Sequence, residues 1–180
     1  MSCYISSGYT LDCRNASTGG VKTVWLLGDS GSQITGWTSD VQERVVSASG
    51  TGTFYKFELT KQGTSFTEPI TVNATAQSVV FEPTLVMNLP KLDWELRKLF
   101  QDLVSQNAVY GVLQDNNGRF FTFAWTNGAL ATEGSIQTGL AYGDLNGMSA
   151  LTFVGGEPNA SQEILITTTL GAVFTGITVQ

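Results

Sequence analysis

Three Asn-Gly doublets, Asn117-Gly118, Asn127-Gly128 and Asn146-Gly147, sit beside short runs of alternating apolar residues. Asn-Gly adopts the positive-φ backbone of a type I′ turn, whose twist matches that of two antiparallel strands. Ala108–Gln114 and Arg119–Trp125 flank Asp115-Asn116-Asn117-Gly118, so this stretch predicts a hairpin. Thr126-Asn127-Gly128 leads into Ala129–Thr138, and Asp144-Leu145-Asn146-Gly147 into Met148–Val154. Turns this frequent commit most of the chain to β structure.

The rest of the chain follows suit. Val21–Leu27 reads as a strand between Gly19-Gly20 and Gly28-Asp29-Ser30-Gly31. Weak strands are expected near Ile34–Trp37 and Arg44–Ser47, and the poorly patterned, glycine-bearing stretch 38–53 reads as a projecting loop. In Phe54–Thr60, Tyr55, Phe57 and Leu59 share one face and Phe54, Lys56 and Glu58 the other. Ser65–Ala74 and Val79–Met87 are extended, and Pro69 and Pro83 mark edges or bulges because proline donates no ladder hydrogen bond. Gly155–Gln162 reads as a loop before strands at Ile164–Thr169 and Val173–Val179.

A single helix is expected from about Pro90 to Gln106, capped by Asn88, with Leu92, Leu96, Leu99, Phe100, Leu103 and Val104 at helical spacing. Asp93–Arg97 and Lys98–Asp102 stand at i,i+4 on its outer side. Trp94 lies off the apolar stripe, so it is either a contact anchor at an interface or folded over the neighbouring turn. With 180 residues the chain suits one domain, with an N-terminal arm over about 1–20 and the C-terminal strands over about 164–180.

Charge narrows the function. Charged residues make up 13% of the chain, against about 25% in an ordinary soluble domain. Mean hydropathy is only +0.06, and no apolar run approaches the roughly 20 residues that span a bilayer. A surface of Gly, Ser, Thr, Asn and Gln suits a protein whose neighbours cover it. The net charge of −6 argues against gripping nucleic acid through its phosphates, though an acidic wall lets nucleic acid pass without sticking.

Catalytic chemistry finds no support. The chain has no histidine, which removes the commonest general base. Cys3 and Cys13 are too few for a closed zinc site; they are either reduced or paired with each other. No phosphate-binding glycine motif occurs, and Gly28-Asp29-Ser30-Gly31 lacks nucleophile-elbow spacing. Asp29, Glu58, Glu82, Glu133 and Asp144 are the carboxylates to weigh for glycoside hydrolysis, but nothing pairs them at the required span of about 5–9 Å. No catalytic residue, cofactor or metal is expected.

Read in order, Asp12-Cys13, Gly19-Gly20-Val21, Gly52-Thr53-Phe54-Tyr55-Lys56-Phe57, Thr67-Glu68-Pro69, Phe81-Glu82-Pro83-Thr84-Leu85, the helix, and the Asn-Gly turns through Leu151-Thr152-Phe153 form a set. That set resembles the tail tube (major tail) proteins of tailed bacteriophages, most closely those of phages infecting Bacteroidetes. The resemblance runs from about Asp12 to Pro158 and implies a β-sandwich or half-barrel flanked by one helix. It also implies a homo-oligomer: rings, commonly hexameric, stacked through loops into a tube that lines a passage for DNA without binding it specifically. The implied location is the virion, in the phage tail, after assembly in the host cytoplasm and alongside other virion proteins. The family brings no catalytic residues.

Two rivals stand beside this expectation. A head–tail joining ring, head decoration or fibre-base protein shares the same chemistry. A carbohydrate-binding sandwich would use Trp37, read as a loop residue, whereas Trp25 and Trp125 sit in apolar strand contexts that favour the core. The charge-free strands Phe120–Trp125, Met148–Val154 and Val173–Val179 are expected at sheet edges, where unpaired backbone invites another chain. The last of them either augments a neighbour or completes its own sheet.

Overall fold

Gly50 and Gly52, which the sequence suggests are breaks, lie inside a continuous strand. A computed structural model describes residues 19–28, 31–59, 63–89, 94–138 and 147–180. The strands are β1 (Val21–Leu27), β2 (Gln33–Ser39), β3 (Val45–Glu58), β4 (Ser65–Thr67), β5 (Ile70–Asn73), β6 (Ser78–Phe81) and β7 (Thr84–Leu89). After helix α1 (Trp94–Val104) come β8 (Tyr110–Asp115), β9 (Phe120–Phe123), β10 (Ala129–Gln137), β11 (Gly147–Gly155), β12 (Glu163–Ile164) and β13 (Phe174–Val179). The fold is mainly β, with 57% of the described residues in strands. Cys3, Cys13, Asp29, Asp144 and most of the 1–20 arm lie outside the described residues.

The projecting loop expected over 38–53 is instead the tight pair β2–β3, turning at Asp40–Arg44. Glycine was the misleading signal. A Cβ on Gly50 would stand 2.3 Å from the Gln33 carbonyl oxygen and 2.8 Å from Ile177 Cδ1, so the absent side chain lets three strands approach one another.

β3 is long enough to serve two neighbours along one flank, with β2 against its first half and β1 against Tyr55–Glu58. Along its other flank run β12 and β13, both parallel to it. The pairings β3–β1–β8–β9–β12 return to β3 and close a ring of strands. A second sheet follows the order β10–β11–β7–β4.

Alternation along the ring strands feeds two cores. Trp25, Leu27, Val45, Ala48, Phe54, Val112, Phe174 and Ile177 fill the inside of the ring. Val24, Leu26, Phe57, Leu113 and Phe123 point outward against Leu85, Met87, Leu151 and Phe153 of the second sheet. Phe54 and Phe57 therefore enter opposite cores, as their faces require. Trp125 lies in the ring core, where its indole Nε1 donates to the Gly111 carbonyl at 2.6 Å. Its ring packs edge-on against Trp37 and Phe174, at centroid separations of 5.7 and 5.8 Å.

The turn at Asp144–Asn146 lies outside the described residues, and the other two Asn-Gly turns differ in kind. Asp115–Gly118 makes the expected β8–β9 hairpin: Asp115 Oδ1 accepts the Asn117 and Arg119 N–H groups, and Gly118 takes φ +85°. Thr126–Gly128 is a corner that carries the chain from the ring to the second sheet. Of the three strands expected at edges, β9 and β11 are interior and only β13 is an edge among the described residues. β13 belongs to its own chain's sheet. The strand expected over Ile164–Thr169 shortens to Glu163–Ile164, followed by a 3-10 turn at Leu170–Val173.

The helix occupies 94–104 of the expected 90–106; residues 90–93 lie outside the described residues. Asn88, the expected cap, lies in β7, where its Oδ1 accepts the Ala150 N–H at 2.6 Å. Leu103 anchors α1 in the core shared by the two sheets. Lys98 and Asp102 form no ion pair; among the described residues only Asp40–Arg44 and Lys56–Glu58 do.

Candidate functional site

Among the described residues, the most exposed regular structure is a hairpin arm built from β5 and β6. Every residue of the two strands is exposed except Phe81, which is half-buried. Ile70 pairs with Phe81 and Val72 with Val79, so these four side chains share one face. Ile70 and Val72 are 60% and 66% exposed. The far face carries Thr71, Val80, Asn73 and Ser78. Asn73 Oδ1 closes the tip by accepting the Thr75 and Ala76 N–H groups.

The arm is an extension of the second sheet. β4 pairs with β7 in the same register in which β5 pairs with β6, so one ladder runs from Ser65↔Val86 out to Asn73↔Ser78. Only residues 68–69 and 82–83 interrupt it, and these hold the two prolines. Pro69 and Pro83 mark an elbow in a single hairpin, which accounts for the strand breaks the sequence suggests there. The Pro69 carbonyl still accepts the Glu82 N–H at 2.9 Å across the elbow.

A brace from residues 155–161 holds this elbow. Gly155 donates to the Pro83 carbonyl at 3.0 Å, and Phe81 and Glu157 exchange both backbone hydrogen bonds, at 2.9 and 2.7 Å. The Glu68 carboxylate accepts the Ser161 N–H and hydroxyl. The Glu157 carboxylate, only 5% exposed, accepts the Thr126 and Asn127 N–H groups at 3.1 and 2.9 Å. Hydrogen bonds to charged groups are the stronger kind, contributing about 1.5–3 kcal/mol each. The arm therefore projects from a fixed base. Sequence reasoning names Glu68 only within the Thr67-Glu68-Pro69 motif and omits Glu157, because no local pattern distinguishes a bracing carboxylate from a surface one.

A second exposed apolar region lies at α1 and β10. Trp94 is 74% exposed at the first turn of α1, with Leu99, Val104, Leu130 and Ile136 also exposed. A groove of about 720 Å³ runs between α1 and β10. Trp94 lies one helical turn before Arg97 and Lys98, which line it.

Of the sequence-derived carboxylates, Asp29 and Asp144 lie outside the described residues, and Glu58, Glu82 and Glu133 stand on β3, the elbow and β10. Glu58 is held by Lys56 at 2.7 Å, and that hydrogen bond lowers its pKa. Glu133 accepts from Thr152 at the edge of the second sheet. No group of three or more His, Cys, Asp or Glu capable of holding a metal ion occurs among the described residues. Trp37 is in strand β2 rather than a loop. It lines a cleft of about 860 Å³ beside the elbow, but its Nε1 donates to Gln162 Oε1 at 3.0 Å and its ring packs against Trp125. No helix of the described residues is long and apolar enough to cross a membrane. The sequence matches no known family model and no curated protein.

Proposed function

We propose that the protein is a self-assembling structural subunit, of the ring-and-tube kind implied by its resemblance to phage tail tube proteins. The observation that carries this reading is the arm: an apolar face of Ile70, Val72 and Val79 on a hairpin braced at its elbow, with Ile70 and Val72 well exposed and Val79 beside the cleft. Exposed apolar patches on soluble proteins mark interaction sites, and a two-stranded ribbon alone is marginal in water. A neighbour that covers it supplies both the missing burial and the reason for the brace. The low charge of the chain fits the same role, since surfaces that meet copies of themselves gain from having little charge to desolvate.

Electron microscopy and light scattering across a concentration series test this. Rings or stacked rings that grow with concentration are the expected result. A strictly monomeric mass at millimolar protein would overturn the reading, and isolated dimers or trimers would move it to another virion part.

A further inference from the structure

Parts of the chain far apart in sequence meet at the cleft of about 860 Å³ beside the elbow. Residues 42–44 of the β2–β3 turn, residues 157–163 of the brace, and Val79 and Phe81 of β6 all line it, together with the indoles of Trp37 and Trp125. The size lies within the roughly 300–1,000 Å³ of small-molecule sites, and the lining mixes aromatic rings with polar groups as such sites do. We infer that this cleft binds a neutral oligosaccharide, with Trp37 as the surface on which a sugar ring stacks. The inference goes beyond the assembly reading and does not rest on it, because one chain supplies every lining residue.

A sugar presents an apolar face of C–H groups, which packs on aromatic rings, and a rim of hydroxyls, which both donate and accept. Trp37 is half-buried and fixed in place: its Nε1 donates to Gln162 Oε1 at 3.0 Å, and its ring meets Trp125 edge-on at 5.7 Å. Stacking uses the face of an indole and not its N–H, so this hydrogen bond orients the platform in advance of the ligand. The groups around it are held in the same manner. An indole N–H only donates, so Gln162 must turn its oxygen to Trp37, which leaves its amide nitrogen as a donor for something else. Arg44 is locked on Asp40 through Nε and Nη2, at 2.9 and 2.7 Å, and its Nη1 makes no hydrogen bond among the described residues. Asn159 adds an amide that can donate and accept.

Charge selects among ligand classes. Arg44 is neutralised by Asp40, whereas Glu43 and Glu163 of the lining form no ion pair among the described residues. Anions therefore meet repulsion. A quaternary ammonium group is recognised by a cage of aromatic faces, but Trp125 is only 4% exposed and backs Trp37 from within the core. Backbone geometry points to the same place. Glu43 and Ala124, at φ 61° and 52°, are two of four non-glycine residues with positive φ among the described residues, and both line the cleft. Such strained residues cluster at ligand sites, where the surrounding structure holds them.

Titration of the full chain with cello-, malto-, xylo- and N-acetylchito-oligosaccharides, followed by indole N–H resonances, tests the site. At least one series should shift the Trp37 signal saturably, and Trp37→Ala should abolish that binding. Because Trp37 also packs on Trp125, Gln162→Ala serves as the second variant: it should weaken binding at least about tenfold while leaving Tm within a few degrees of the parent. Absence of saturable shifts from all four series, or binding unchanged by both substitutions, would overturn the site. Tetramethylammonium or inorganic phosphate shifting Trp37 in preference to every sugar would overturn the ligand class.

Discussion

The carboxylate of Glu157 receives the backbone N–H groups of Asn127 and Thr126 while the Glu157 backbone pairs with Phe81 at the base of the arm. One buried residue thus ties the corner between the two sheets to the elbow of the projecting hairpin. Replacing it by alanine leaves two donors without their acceptor. We expect Glu157→Ala to lower stability by about 1–3 kcal/mol in urea denaturation. Assembly at matched folded concentration should fall too, because the arm loses its fixed direction.

Val72→Asp separates folding from assembly. The side chain is exposed, and surface substitutions usually change stability by no more than about 0.5 kcal/mol. Denaturation midpoints should barely move, whereas the assembled mass seen by light scattering should collapse toward that of a single chain.

Inside the ring, Phe54 is fully buried against Phe174, with centroids 5.0 Å apart. Phe54→Ala should cost about 3–5 kcal/mol, read as a shift in the urea midpoint with an unchanged slope. A loss below 1 kcal/mol would mean the ring core is far looser than described.

Gly50→Ala should destabilise by about 1–3 kcal/mol or more, because the new methyl meets the Gln33 carbonyl, which is backbone and has little room to retreat. Gly19→Ala is the control, since no heavy atom lies within 4 Å of a Cβ there.

Acid should loosen the β2–β3 turn. The Arg44 N–H first, then the Arg44 guanidinium and the Gln42 N–H, hold the Asp40 carboxyl below its ordinary value of 3.8. A depressed carboxyl stabilises the fold above its unfolded pKa, and that support is lost as pH falls through the lower folded value. Amide resonances of Gln42 and Arg44, which donate to this carboxylate, should therefore shift with a midpoint below 3.8, and Asp40→Asn should remove the transition.

Local chemistry made much of the fold readable. Val21–Leu27 is recovered to the residue, and the Asp115–Gly118 hairpin stands where Asn-Gly marks it, although only Gly118, and not Asn117, takes the positive φ of a type I′ turn. What stayed hidden depends on partners distant in sequence. Gly50 and Gly52 read as a loop because closeness to β2 and β13 does not register in a local window. The arm was visible only as two extended stretches, since nothing local says that β5 and β6 lack a covering layer. Trp94 was legible as a residue off the apolar stripe, and it is indeed exposed. The groove beside it joins α1 to β10, a juxtaposition that only the tertiary fold creates.

Phe174 sits beside Ala48, and Val179 beside Phe54, so the inner core closes only when the two ends of a long stretch of polypeptide meet. Contacts this remote in sequence must meet the entropy of closing a large loop before they return any stability. Folding should accordingly be slow, and chains in which β13 has not yet docked on β3 would expose the aromatic interior to solvent. The parallel pairing of β13 with β3 is therefore the step that seals the inner core, and the order of folding turns on a contact between residues far apart in the chain.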